Sequence, residues 1–167
     1  MRLLRLASLA GLAAAAALSA ADQPRQSWVD YAGSPDNSHF ITAKQIDKSN
    51  VSKLDVVWNY PYGETGFNPI VTRGVVYGKG RNNSLLALDA ATGAEIWIHE
   101  GLEGLTRRGI NYWESKDGKD RRLIFSLGDY LQELDASTGK SILTFGIDGF
   151  VDLRDGLGRD PATIGRI

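Results

Sequence analysis

Few side chains in this sequence stand at spacings that do chemistry. His39 and His99 lie far apart with no partner at metal-ligand spacing, so neither reads as a ligand. The Asp/Gly-rich stretch from Asp152 to Asp160 lacks the spacing of a calcium hand and reads as a loop. Gly78-Lys79-Gly80 and the glycines from Gly101 to Gly109 do not lead from a strand into a helix, as a phosphate cradle requires. There are no cysteines, which removes disulfides, thiolate metal sites and cysteine nucleophiles. Arg107 and Arg108 stand side by side; by spacing alone Arg107 reads as solvated and Arg108 as a surface or structural arginine.

The elements that must position such a group are strands. No window after the N-terminal segment carries an apolar helical face longer than about two turns, and glycines interrupt each candidate. The 43% hydrophobic content suffices for a packed core, and the net charge of −1 carries no electrostatic footprint for nucleic acid. Residues 1–21 read as an export signal. Arg2 and Arg5 precede an apolar run from Leu6 to Leu18, too short to span a bilayer comfortably, and Ser19-Ala20-Ala21 offer small residues for cleavage before Asp22. The mature chain, 22–167, is expected in the periplasm or outside the cell. An uncleaved anchor is the alternative.

An internal repeat organises the remainder. Ala87-Leu88-Asp89-Ala90-Ala91-Thr92-Gly93-Ala94-Glu95-Ile96-Trp97 recurs, weakened, as Glu133-Leu134-Asp135-Ala136-Ser137-Thr138-Gly139-Lys140-Ser141-Ile142-Leu143. The step of about 46 residues lies in the range of a four-stranded propeller blade. Each copy reads as a hairpin, in which Asp closes the turn on nearby amides and Gly supplies positive φ. Another β-like run precedes each hairpin: Ile70-Val71 with Val75-Val76-Tyr77 around Arg73-Gly74, then Leu123 to Ser126. A short helical turn is expected around Asn50 to Lys53. Trp28, Trp58, Trp97 and Trp113 read as packing residues. The fold class is all-β, a partial β-propeller of four-stranded antiparallel blades.

Several stretches together resemble the pyrroloquinoline quinone (PQQ)-dependent glucose and alcohol dehydrogenases. Ala87 to Trp97 is similar to their tryptophan-docking repeat, in which Trp stacks on the neighbouring blade; the second copy departs from it, with Glu133 for Ala and Leu143 for Trp. The stretch from Trp28 to Phe40, then Gln45-Ile46, Asn50-Val51, Leu54 and Trp58, resembles the family's opening. Asn68 to Val71 with Gly74 to Tyr77 resembles its first full strand pair. Arg108-Gly109-Ile110-Asn111-Tyr112-Trp113 resembles an Arg-Gly-x-x-Tyr-Trp signature, and Phe145-Gly146 through Gly149 to Leu153 the segment after the second hairpin.

The resemblance implies an eight-bladed propeller of which this chain supplies N-terminal blades, PQQ as cofactor, and cofactor-binding roles for Arg108, through a quinone carboxylate, and for Ser126, through its hydroxyl. Ser126 has the alternative of bonding only to backbone. An acidic contact expected before the first blade's Pro falls at Gly66, with Glu64 two residues earlier. The adjacent cysteine pair of the methanol and ethanol branch is replaced by Gly104-Leu105-Thr106, which implies the glucose-type or another branch. Calcium is implied in the complete enzyme, with its ligands and the catalytic base in later blades, so no catalytic or metal-binding residue is assigned here. A sugar or alcohol substrate and a respiratory electron acceptor are the implied partners. Propellers close with about four to eight blades, and residues 22–167 hold roughly three repeats' worth of chain. The expectation is therefore a fragment inactive by itself, or closure by a second polypeptide or self-association. The alternative function is a non-catalytic scaffold of the same repeat class.

Overall fold

A computed structural model describes residues 27–33, 35–62 and 66–165. Eight strands form two antiparallel sheets. The first contains β1 (Ile70–Thr72), β2 (Val75–Lys79), β3 (Leu85–Asp89) and β4 (Glu95–His99); the second contains β5 (Asn111–Glu114), β6 (Arg121–Leu127), β7 (Tyr130–Asp135) and β8 (Phe150–Asp152). Each sheet is a simple meander in chain order. The all-β, propeller-type expectation holds.

Local chemistry accounts for the hairpins. Thr72 pairs with Val75 across the two-residue turn Arg73-Gly74, whose φ values of 51° and 74° are the paired positive angles of a tight hairpin. At the end of β3, Asp89 Oδ1 accepts from the amides of Ala91 (3.0 Å) and Thr92 (2.8 Å) and from the Thr92 hydroxyl (2.8 Å). Asp135 Oδ1 repeats the pattern with Ser137, Thr138 and the Thr138 hydroxyl at 2.9, 2.8 and 2.9 Å. Gly93 and Gly139 close these turns at φ 72° and 69°.

The sheets pack face to face. Tyr77, Leu85 and Ala87 of the first share one buried cluster with Leu123, Phe125 and Leu134 of the second, and Leu102, Leu105 and Ile110 of the connecting segment complete it. The tryptophan of β4 crosses this interface. Trp97 Nε1 donates to the Ala136 carbonyl at 3.1 Å, and its ring lies so close to Gly139 that a Cβ there would fall 2.6 Å from ring atoms. His99 reaches the same turn, with Nδ1 2.7 Å from the Gly139 carbonyl oxygen. The expected packing role of Trp97 is thus visible in its contacts.

Two features depart from expectation. The second hairpin has no strand matching β4: after Gly139 there is only an isolated bridge of Ser141 to Leu134, and β8, further along, fills the fourth position. Leu143, where the first copy has Trp97, is 70% exposed and anchors nothing across an interface. The Arg-Gly-x-x-Tyr-Trp stretch contributes a strand of its own, β5, pairing Asn111 with Ile124. The turn around Asn50 to Lys53 is a single 3-10 turn, Val51–Lys53.

A second clamp joins the sheets at one end. Arg73 Nε donates to Glu114 Oε2 at 2.8 Å, a second guanidinium nitrogen pairs with Oε1, and the Tyr112 hydroxyl donates to Oε2 at 2.6 Å. The Arg73 bonds first, then that of Tyr112, hold the Glu114 carboxyl down from 4.5 to about 2. A carboxylate depressed in the folded state adds stability above its unfolded pKa, and that stability fades as pH falls through the folded value. Stability is therefore expected to decline from pH 4.5 towards 2. Asp152, held near 2 by Arg154, adds to the same slope. Glu114→Gln should flatten the decline without abolishing it, as read from melting temperatures across that window. An unchanged profile would remove the clamp from the account.

Candidate functional site

Where the connecting segment enters β5, the chain is pinned from two sides. Thr106 N–H donates to the Ser126 carbonyl at 3.1 Å, and Thr106 Oγ1 accepts from Arg108 N–H at 3.2 Å. Asn68 Nδ2, just before β1, donates to the Arg108 carbonyl at 2.6 Å. Gly109 makes this close approach possible. At its φ of 129° a side chain is strained, and a Cβ would lie 3.2 Å from the Asn68 carbonyl oxygen. The N-terminal segment closes the third side, since Trp28 exchanges both backbone hydrogen bonds with Val71 of β1 (2.6 and 2.9 Å).

These contacts frame a cavity of about 190 Å³ whose polar lining is Asp30, Tyr31, Asn68, Arg108 and Asn111. Arg108 is exposed, and among the described residues its guanidinium has no hydrogen-bond or ion-pair partner. Arg107 is exposed as well.

Ser126 lies near the end of β6, opposite Leu131 of β7. Its neighbour Phe125 points into the inter-sheet core, so strand alternation turns Ser126 to the other face of the second sheet. Thr106 thus ties Ser126 and Arg108 to one backbone junction, but Ser126 does not line the Arg108 cavity. Asn68 and Thr106 are the positioning residues that sequence reasoning did not single out. Both fell within stretches set against the family, Asn68 in Asn68 to Val71 and Thr106 in Gly104-Leu105-Thr106, but neither carried a role of its own there. Gly66 is described and lines nothing polar, whereas Glu64 lies outside the described residues.

The donor set suits one edge of an organic acid. Arg108 offers two parallel donors and Asn111 an amide, while Asp30 is the one acidic side chain in the same lining. No group of three or more His, Cys, Asp or Glu able to hold a metal ion occurs among the described residues. His99 is engaged between the sheets and His39 packs edge-on near Tyr31, with ring centroids 6.3 Å apart. No helix among the described residues is long and apolar enough to cross a membrane.

Comparison with known proteins places this geometry. Residues 28–166 match the family described as PQQ: Glucose/ethanol/alcohol dehydrogenase, beta-propeller domain. The quinoprotein glucose dehydrogenase of Gluconobacter oxydans is 30% identical over 162 residues, covering 78% of this chain and 20% of that protein. The quinohemoprotein alcohol dehydrogenase ADH IIB of Pseudomonas putida is 29% identical over 150 residues, covering 82% and 21%. Among solved structures, the quinohemoprotein alcohol dehydrogenase of Comamonas testosteroni superposes with a TM-score of 0.58 at 21% identity, over 78% of this chain and 20% of that one. A europium-containing methanol dehydrogenase superposes at 0.56 and 23%, over 72% and 23%. At those identities the structural likeness shows the fold. The chain spans about a fifth of the length of the curated relatives it matches.

Proposed function

The chain belongs to the PQQ glucose/ethanol/alcohol dehydrogenase β-propeller family, and from that premise we propose that it supplies two blades of a quinone-dependent dehydrogenase that oxidises a sugar or an alcohol. The observation that carries this reading is Arg108, fixed through its own backbone by Asn68 and Thr106 while its guanidinium is left without a protein partner. Arginines that only build structure usually end on a carboxylate, as Arg73, Arg122 and Arg154 do here. Arg108 would hold a carboxylate of PQQ, and the Ser126 hydroxyl would bond the quinone from β6. When bound, the quinone supplies the oxidising equivalent that takes two electrons from a carbon bearing a hydroxyl, for onward passage to a respiratory acceptor. Asn68 and Gly109 set the arginine's position, and Thr106 links it to β6. Calcium is the expected metal of the complete enzyme, and neither a metal ligand nor a catalytic base is assigned to this chain.

The test needs the other walls of the pocket. In a chimera where this chain replaces the matching fifth of the Pseudomonas putida ADH IIB protein, Arg108→Ala is expected to weaken PQQ binding by about 1.5–3 kcal/mol, the usual worth of a hydrogen bond to a charged group. Arg108→Lys should recover part of that loss, because a point charge cannot reproduce the fork. Titration with PQQ in calcium buffer reads the result. Equal affinity for wild type and Arg108→Ala would take Arg108 out of the site and favour the non-catalytic scaffold reading. Dye reduction by residues 22–167 alone would show that the later blades are dispensable.

Residues 1–21, which lie outside the described residues, would direct export to the periplasm or beyond. Mass spectrometry of the exported protein should find an N-terminus near Asp22; an intact Met1 in the cytoplasmic fraction would overturn this.

A further inference from the structure

The segment from Trp28 to Gly33 is folded tightly on itself beside β1. Trp28 is tied to Val71 through its backbone, and its ring covers Gly33, where a Cβ would lie 3.0 Å from a ring carbon. Gly33 N–H donates to the Asp30 carbonyl and His39 N–H to the Ala32 carbonyl, both at 3.0 Å. Between these anchors the buried Ala32 is held at φ 60° and ψ 21°. A residue with a Cβ is seldom found in that left-handed region and stays there only where its surroundings over-determine it. The tight turn leaves the side chains of Asp30 and Tyr31 in the lining of the Arg108 cavity.

That cavity holds two opposite charges that do not meet. Elsewhere in the chain, arginine and carboxylate close on each other: Arg73 on Glu114, Arg122 on Asp120 and Glu133, Arg154 on Asp152. Asp30 is half-buried, yet among the described residues its carboxylate has neither a hydrogen-bond nor an ion-pair partner, and the Arg108 guanidinium has none either. About 190 Å³ lies within the lining they share. A ligand that satisfies both presents a pair of anionic oxygens to the guanidinium and, beside them, a proton donor to Asp30. A second acceptor set against Asp30 would leave that carboxylate desolvated and unpaired. The pyrrole ring of PQQ has this arrangement, an N–H adjoining a carboxylate.

We propose that Asp30 is a specificity-determining residue of this cavity: it accepts a hydrogen bond from the ring N–H that adjoins the carboxylate held by Arg108, and so selects a pyrrole-type acid over acids without that donor. This rests on the proposed function, in which Arg108 holds a carboxylate. One grip leaves a flat ligand free to swing about the guanidinium; a second contact on the same edge fixes its rotation. The turn from Trp28 to Gly33 holds the acceptor in place before the ligand arrives, so little ordering is left to be done on binding. Selection comes chiefly from rejection, because a site built to receive a donor is left with an unpaired group when the donor is missing.

The experiment uses the full chain, isotope-labelled, and two probes of nearly equal shape: pyrrole-2-carboxylate, and furan-2-carboxylate with a ring oxygen in place of the N–H. Amide resonances of Arg108, Gly109 and Asn111 are followed by NMR through titrations in the millimolar range. The pyrrole acid is expected to bind at least about tenfold more tightly than the furan acid, the worth of a hydrogen bond to a charged group. Asp30→Ala should bring the two acids to within about twofold of each other. The variant's melting temperature should match wild type, since the Asp30 side chain holds nothing in the free chain. Arg108→Ala should abolish both titrations. Equal affinities in wild type that vanish with Arg108→Ala overturn the role of Asp30 and leave Arg108 in place, and a preference that survives Asp30→Ala overturns it as well. Shifts that Arg108→Ala does not change, or no shifts with either acid, overturn it together with the carboxylate role of Arg108.

Discussion

Trp97→Ala is expected to destabilise the chain by about 3–5 kcal/mol, the range for deleting a large aromatic from a packed interface. The indole does three things at once. It covers Gly139, donates to the Ala136 carbonyl at 3.1 Å, and lies 6.1 Å from Tyr77, which in turn stacks on Tyr112 at 6.2 Å. Truncation leaves a cavity between the sheets and an unpaired carbonyl. Since domains retain only about 5–15 kcal/mol of net stability, such a loss removes a large share of it. Trp113 is the control: it is 45% exposed and lies under Arg122 on the uncovered face of the second sheet. Trp113→Ala should change stability by about 1.5 kcal/mol or less, since surface replacements usually lie within about ±0.5 kcal/mol and the cation–π contact adds about 0.5–1. Urea unfolding of the two variants beside wild type decides it. Equal losses would mean that the inter-sheet indole is no more important than the exposed one.

How far the sequence reached depended on whether a contact is local. The Asp89 and Asp135 turns are closed by amides two and three residues away, so their chemistry was readable from the repeat alone. Trp97 was readable because it stands at a fixed distance from its own turn. Trp58 performs the same docking but lies before the first complete repeat, so no motif marked its partner as Gly93. The Arg73–Glu114 clamp and the Asn68–Arg108 bond join residues about forty positions apart and have no periodic signal. The displaced fourth strand of the second sheet is a case of weak anchoring. Without an aromatic at position 143, residues 141–143 hold to β7 only through the Ser141–Leu134 bridge and the Ile142 N–H bond to the Glu133 carbonyl (3.0 Å), and Phe150–Asp152 pairs with the start of β7 as the fourth strand. Arg108 stood out by its motif, but the bonds that fix its backbone, to Asn68 and Thr106, are not written in that motif.

The closeness of ring and turn predicts an unusual cost for the smallest possible change. Gly139→Ala is expected to destabilise by about 2–5 kcal/mol, from two separable sources. At φ 69° an alanine is held in the left-handed region, which costs roughly 1–2 kcal/mol. Its Cβ would also lie 2.6 Å from the Trp97 ring, so the indole must shift, an overpacking penalty of about 1–3 kcal/mol. Gly74 isolates the first source, because its φ of 74° is similar and a Cβ there meets nothing within 4 Å. Gly74→Ala should therefore cost only roughly 1–2 kcal/mol. Trp97→Ala isolates the second: with the ring gone, adding Gly139→Ala should cost no more than Gly74→Ala does. The two replacements are thus expected to be less than additive by about 1–3 kcal/mol, the overpacking part. Urea midpoints of the four proteins of this cycle, with trimethylamine N-oxide present to keep the weaker variants folded, measure that coupling. Strict additivity would mean that the indole does not rest on the Gly139 turn, and the equivalence between Trp97 and Trp58 would fall with it.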